Sequence, residues 1–121
     1  MGLYTEILLR TTLKAELDSN TESVLNFLFN NGSEPTLLPD HVFFGCYNWH
    51  MFGRCNDSSF KTISYLNNRH LFSRCDIKMV HDNIDKFIDW IEPYIDKEGE
   101  DLACIGWRWF EDDQKPELIF V

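Results

Sequence analysis

Basic residues are scarce in this sequence of 121 residues: 11 Lys and Arg stand against 20 Asp and Glu, a formal net charge of −9. A general DNA or RNA binder needs a basic surface to displace counterions from phosphates, so the sequence excludes long nucleic acid as a partner. No apolar run approaches the roughly 20 residues that span a bilayer. The first residues, Met1–Glu6, do not follow the charged-then-apolar pattern of a signal peptide. We therefore expect a cytoplasmic protein that does not associate with a membrane.

Motifs that mark common catalytic sites are also missing. The sequence has no G-x-x-x-x-G-K or G-x-G-x-x-G phosphate loop, no G-x-S-x-G elbow and no H-E-x-x-H helix. The paired His-x-Ser or His-x-Thr motifs of two-histidine phosphoesterases are absent at His41, His50 and His70. A His–Cys nucleophile pair stays open, because its partners need to meet only in space. We expect a protein that is not an enzyme and needs no cofactor.

The four cysteines do not form the close pairs of a zinc site. Zinc ligands use spacings such as C-x2-C, whereas the nearest spacings here are Cys46-x8-Cys55 and His50-x4-Cys55. The expected reducing compartment disfavours disulfides. We expect Cys75 and Cys104, which occupy predicted strands, to be small buried hydrophobic residues, and we expect no metal site.

The spacing of apolar residues predicts two helices and five strands. Ser19 and Glu22 have the spacing of a helix capping box, and Gly32 is a natural end for this first helix. The second helix, with an apolar stripe from Ile84 to Ile95, is ended or kinked by Pro93. The predicted strands are 3–14, 60–66, 69–79, 102–110 and 116–121.

These elements predict an α+β protein. An antiparallel sheet of about five strands with two helices packed on one face is the most economical arrangement, and we expect residues 1–121 to form a single domain. We predict no regular secondary structure for residues 33–58, because two prolines precede a cluster of large apolar side chains. A connection of this length must bury those side chains, and long ordered loops are disproportionately functional.

The charge is distributed unevenly along the chain. Between His41 and His81 five basic residues stand against two acidic ones, a net charge of +3, whereas the remaining residues carry −12. Aromatic residues crowd the same window, and arginine can grip a phosphate with two hydrogen bonds while aromatic rings stack on bases. The window therefore favours a pocket for a small phosphorylated ligand, such as a nucleotide. The candidate binding residues are Arg54, Arg69 and Arg74 for phosphates, Tyr47 and Trp49 for stacking, and Trp107 and Arg108 as a second lip.

An alternative interpretation rests on the acidic residues. Asp82, Asp85 and Asp89 on the second helix and the turn Glu111–Asp113 can imitate phosphates and speed encounter with a basic protein. On this view the chain is an inhibitor or immunity-type protein that blocks a protein target. Under either interpretation we expect a homo-oligomer, because Trp90 lies off the apolar stripe of its helix and suits a two-fold interface.

Three segments, Gly2–Glu6, Phe87–Tyr94 and Pro116–Phe120, resemble small uncharacterised proteins encoded by phages and prophages. The likeness also touches the strand that begins at Arg69 and spans most of the chain, through short apolar motifs. It implies a small cytosolic protein, made during infection, that counters host defence by binding a defence protein or by sequestering a nucleotide signal. No catalytic residue carries over from the resemblance.

Overall fold

The computed structural model describes residues 4–54, 62–78 and 81–121. The strands are β1 (Thr5–Thr12), β2 (Ile63–Asn67), β3 (His70–Ile77), β4 (Cys104–Phe110) and β5 (Glu117–Phe120), and the α-helices are α1 (Ser19–Phe29) and α2 (His81–Ile91). Leu3, Cys55, Phe60 and Met79, to which the sequence analysis assigned places, lie outside the described residues. The expected α+β class is confirmed.

The five strands form one antiparallel sheet in the order β2-β3-β1-β4-β5. The chain's first strand is therefore the central one, with Ile7 opposite Cys75 on one side and opposite Arg108 on the other. The two hairpins β2–β3 and β4–β5 supply the outer strands, because short turns join antiparallel neighbours most readily.

Successive side chains of a strand point to opposite faces, so the register divides the sheet into two faces. We call the face that carries Ile7 and Cys75 the covered face, because both helices pack on it. Its buried residues form one hydrophobic cluster with the helices, which includes Ile7, Leu9, Cys75 and Ile77 from the sheet and Leu25, Leu28, Ile84 and Phe87 from α1 and α2. Neither α-helix of the described residues has the length and apolar character needed to cross a membrane.

Helix α1 is capped by Asp18, not by Ser19 as the capping-box spacing predicted. The Asp18 carboxylate accepts hydrogen bonds from the backbone N–H of Thr21 at 3.0 Å and from its hydroxyl at 2.7 Å. The backbone of Asp18 is extended, with φ −67° and ψ 155°, which is the conformation of a residue that precedes a helix. The prediction was one residue out because Asp18 is an equally good cap and lies where the chain turns.

The connection that follows α1 is packed rather than slack over its described residues 30–54. It contains two short 3-10 helices, Val42–Gly45 and Trp49–Met51, and buries Phe43 and Phe52 completely. The ring of Phe52 stacks on that of Phe87 in α2, with centroids 4.0 Å apart. This connection therefore supplies part of the core between the helices.

The prediction that Trp90 is exposed at a two-fold interface is wrong. Trp90 is only 3% exposed, because the 3-10 helix Val42–Gly45 covers the side of α2 on which it lies. Its ring meets that of Phe44 edge to face at 5.0 Å and lies parallel to that of Phe43 at 6.4 Å. Trp90 is a core residue, and homo-oligomer formation stays a prediction without support from this side chain.

The cysteine prediction holds for Cys75, which is 1% exposed, and is wrong for Cys104, which is exposed. The pairing of β4 with β5 shifts its register between Cys104 and Gly106, so that the extra residue Ile105 takes the buried position. A bulge of this kind turns a neighbouring side chain away from the core.

Strands β1 and β4 approach each other so closely at Gly106 that only glycine fits there. Gly106 has φ +153°, and a Cβ at this position would overlap the carbonyl oxygen of Leu8 and lie 2.8 Å from its carbonyl carbon. We expect Gly106→Ala to lower the free energy of unfolding by more than about 2 kcal/mol in urea denaturation, because the sheet must open to admit the methyl group. Gly45→Ala is the control, since a Cβ there has nothing within 4 Å. Equal stability of both variants would contradict the close approach of β1 and β4 at Gly106.

Protonation of Asp18 should destabilise α1. The hydrogen bonds from Thr21 hold the pKa of Asp18 below its ordinary value of 3.8, so the capping contribution is present above that value and is lost as the pH falls through the lowered one. In Asp18→Asn the amide oxygen accepts at every pH. We expect wild type to lose stability relative to Asp18→Asn as the pH is lowered from about 5 to 2, measured by thermal unfolding. A pH-independent difference would show that the carboxylate is not the cap.

Candidate functional site: the open face of the sheet

The side chains on the face opposite the helices form a broad surface, which we call the open face. The register places cross-strand neighbours side by side on it: Leu8 lies between Arg74 and Trp107, and Glu6 lies between Asp76 and Trp109. The open face includes Glu6, Leu8, Arg10, Thr12, Ile63, Tyr65, Asn67, His70, Phe72, Arg74, Asp76, Trp107, Trp109, Leu118 and Phe120.

The open face is unusually apolar for a surface. Of ten exposed large hydrophobic side chains among the described residues, five lie on it, and each is between 38% and 57% exposed. They are Ile63, Tyr65, Trp109, Leu118 and Phe120. Single exposed hydrophobic residues need no explanation, whereas a contiguous patch of them marks a site of interaction with another molecule.

Four aromatic side chains of the open face contact a neighbouring ring. The rings of Tyr65 and Phe72 stack across β2 and β3 with centroids 5.5 Å apart, and those of Trp107 and Trp109 meet edge to face at 6.3 Å. The indole Nε1 of Trp109 donates a hydrogen bond to the carbonyl oxygen of Asp113 at 2.9 Å. Rings fixed in this way lose little conformational entropy when another surface packs on them.

Charged groups lie at the end of the open face where β1 begins. Arg74 directs both Nε, at 2.7 Å, and Nη2, at 2.6 Å, to Oε2 of Glu6. Asp76 lies directly opposite Glu6 in the pairing of β3 with β1. Arg10 is two residues beyond Leu8, toward the other end of the strand, so this second cation lies away from the acidic end.

A cavity of about 280 Å³ opens at this acidic end. Three carboxylates and three aromatic residues contribute to its lining, which explains its mixed acidic and apolar character. The lining residues of this acidic cavity are Tyr4, Glu6, Asp76, Trp109, Phe110 and Glu111. The cavity repels phosphates and is suited to a positively charged group that carries apolar surface.

The structure does not gather the seven residues of the predicted phosphate pocket. Arg54 lies beside α1, where its Nη1 donates to the carbonyl oxygen of Phe27 at 2.6 Å and its guanidinium carbon lies 4.3 Å from the centroid of the Phe27 ring. Trp49 is buried in the core, with its ring 5.8 Å from that of Phe27. Tyr47 is 96% exposed on the connection between α1 and β2. None of these three residues belongs to a strand of the sheet.

The other four predicted residues are divided between a turn and the two faces. Arg69 lies in the β2–β3 turn with φ +71°, and its carbonyl oxygen accepts the N–H of Leu13 at 2.8 Å. Arg74 and Trp107 lie on the open face, and Arg108 lies on the covered face. The predicted convergence of arginines and rings on one cavity is therefore not what the structure shows.

Arg108 joins the sheet to α2 by two ion pairs. Its Nη1 donates to Oδ1 of Asp85 at 2.5 Å, and its Nε donates to Oε1 of Glu117 at 2.9 Å. Partial burial acts to lower the pKa of the Arg108 guanidinium, but the hydrogen bonds to Asp85 and Glu117 outweigh it and hold the pKa above its ordinary value. Arg108 therefore stabilises the fold on the covered face, and Asp85 is one of its ion-pair partners there.

The sequence analysis missed the acidic pair Glu6 and Asp76 and most of the aromatic side chains beside them. The signal was present in the strand alternation: Phe72, Arg74 and Asp76 fall between the buried residues of β3, and Trp107 and Trp109 are two positions apart in β4. Large rings at every second position of neighbouring strands predict a second apolar face.

Among residues 4–54, 62–78 and 81–121, no group of three or more His, Cys, Asp or Glu side chains is placed to hold a metal ion. Comparison with protein-family models, with curated proteins and with solved structures finds no match to this chain. The function must therefore be argued from the open face and the acidic cavity themselves.

We expect Arg108→Met to lower the free energy of unfolding by roughly 1–3 kcal/mol in urea denaturation, because it breaks two charged hydrogen bonds while keeping the apolar stem. Lys115→Met, in the exposed β4–β5 turn, is the control and should change stability little. Equal stability of the two variants would show that the ion pairs of Arg108 do not stabilise the packing of α2 on the sheet.

Proposed function

We propose that this chain is a non-enzymatic binding protein that blocks a basic protein target through its open face. The observation that carries the proposal is a broad surface of fixed, exposed rings beside an acidic cavity, on a chain with a net charge of −9. Tryptophan and tyrosine supply much of the binding energy at protein interfaces, and complementary charge speeds the encounter of the partners.

The shape of the open face favours a protein over a nucleotide as its ligand. Small-molecule sites are concave and bury most of their ligand, whereas Ile63, Tyr65, Leu118 and Phe120 project from a sheet. Arg74 lies on this face, and it contacts the carboxylate of Glu6, which lines the acidic cavity. A phosphate on this face would have to displace that carboxylate and approach two others.

Charge favours a basic partner over a second copy of the chain. Two copies would each bring a net charge of −9 and an acidic cavity, and their association would be opposed by repulsion. A basic surface gains from the same charges. The resemblance to phage proteins implies that the target is a host defence protein, and we include this in the proposal.

The proposal is tested by photocrosslinking from two tyrosine positions. A benzophenone amino acid replaces Tyr65 on the open face or, as the matched control, Tyr47, which is also exposed but lies on the connection between α1 and β2. We expect Tyr65, and not Tyr47, to capture a basic protein when cells that make the chain are irradiated. Adding Leu118→Asp should weaken that capture about tenfold or more, whereas Leu37→Asp, at a comparably exposed leucine beside α1, should not.

Two outcomes would contradict the proposal. If Tyr65 captures only a second copy of the chain, the open face is a dimer interface. If neither position captures a protein and calorimetry with cyclic and linear nucleotides gives saturable binding, the chain binds a small ligand instead.

A further inference from the structure

The acidic cavity is lined by a carboxylate that has no partner among the described residues. Asp76 is 8% exposed, and no hydrogen-bond donor or cation in the described part of the chain contacts its side chain. It nevertheless lines the cavity, so its charge faces a space that another molecule can enter. A buried charge is costly unless it is paired, which makes this an unusual residue to leave uncompensated.

The neighbours of Asp76 increase the negative potential of the cavity. Glu6 lies directly opposite it on β1, and like charges in opposite positions of an antiparallel pair disfavour the fold. Arg74 contacts Oε2 of Glu6, and Glu111 adds a third carboxylate to the lining. A cation that enters the cavity would relieve this repulsion and pair with Asp76.

The aromatic lining favours an organic cation over a metal ion. The Trp109 indole is held by its hydrogen bond to Asp113, and Tyr4 lines the same cavity. Cations bind to the faces of such rings, and the guanidinium group does so with a flat surface that can also give two parallel hydrogen bonds to one carboxylate. The described residues place no metal-binding group here.

We propose that the acidic cavity binds the guanidinium group of an arginine side chain on the target protein, with the Asp76 carboxylate as its ion-pair partner and the Trp109 ring beside it. This inference rests on the proposed function, and it names the chemical group by which the basic target is recognised. The arginine inserts at one end of the open face while the apolar rings pack on the target surface beside it.

The inference is tested with the probe N-acetyl-arginine amide, titrated into the whole chain while the indole N–H signal of Trp109 is followed by NMR. The signal is assigned with Trp109→Phe. We expect a saturable shift with the arginine probe and no saturable shift with the neutral isostere N-acetyl-citrulline amide. In Asp76→Asn we expect the affinity for the arginine probe to fall by about tenfold or more. Asp112→Asn, which removes an exposed carboxylate outside the cavity lining, should bind the probe as wild type does.

Folding of the variants is checked by urea denaturation. Asp76→Asn should be as stable as wild type or more stable, because it removes an uncompensated buried charge. A less stable Asp76→Asn would assign the residue a structural role and overturn the inference. Binding of the citrulline probe, unchanged affinity in Asp76→Asn, or displacement of the arginine probe by calcium at constant ionic strength would overturn it as well.

The two proposals can fail separately. If N-acetyl-arginine amide binds in the cavity but Tyr65 captures no basic protein, the proposed function fails and the cation site stands. If Tyr65 captures a basic protein and Asp76→Asn binds that protein with unchanged affinity, the cation site fails and the proposed function stands.

Discussion

Packing of aromatic rings between the two helices is the interaction on which the rest of the structure depends. The stacked pair Phe52 and Phe87 joins the connection after α1 to α2, and Phe43 meets both rings at 5.9 and 5.3 Å. This connection and both helices pack together on the covered face, and no helix among the described residues lies on the other side of the sheet. The open face is a consequence of how the core is filled.

The two faces of the sheet use charge in opposite ways. On the covered face Arg108 is neutralised by Asp85 and Glu117, and these ion pairs hold α2 to the hairpin β4–β5. On the open face Asp76 has no such partner among the described residues. Paired charges favour a fixed structure, whereas an unpaired buried carboxylate gains most from a ligand that brings the missing charge. This contrast separates the residues that maintain the fold from those available for binding.

Local patterns predicted the elements well and the exposure of individual side chains less well. Alternation in β1 and the stripe of α2 identified their buried residues, because burial on one face imposes a period of two on a strand and 3.6 on a helix. Trp90 was misplaced because Phe43 and Phe44, some 46 residues earlier, cover it. Cys104 was misplaced because a one-residue bulge shifts the pairing of β4 with β5, which propensity does not reveal.

The sequence by itself determined the α+β class, the order of the elements and the acidic character of the chain, since each follows from composition or from near neighbours. Only the tertiary structure decided which charges meet. Asp76 and Glu6 are 70 positions apart along the chain and become neighbours through the pairing of β3 with β1. The arginines of the central window lie apart in the structure: Arg54 is beside α1, Arg69 is in a turn and Arg74 is on the open face. Binding surfaces are assembled by strand register, and register depends on contacts between distant segments.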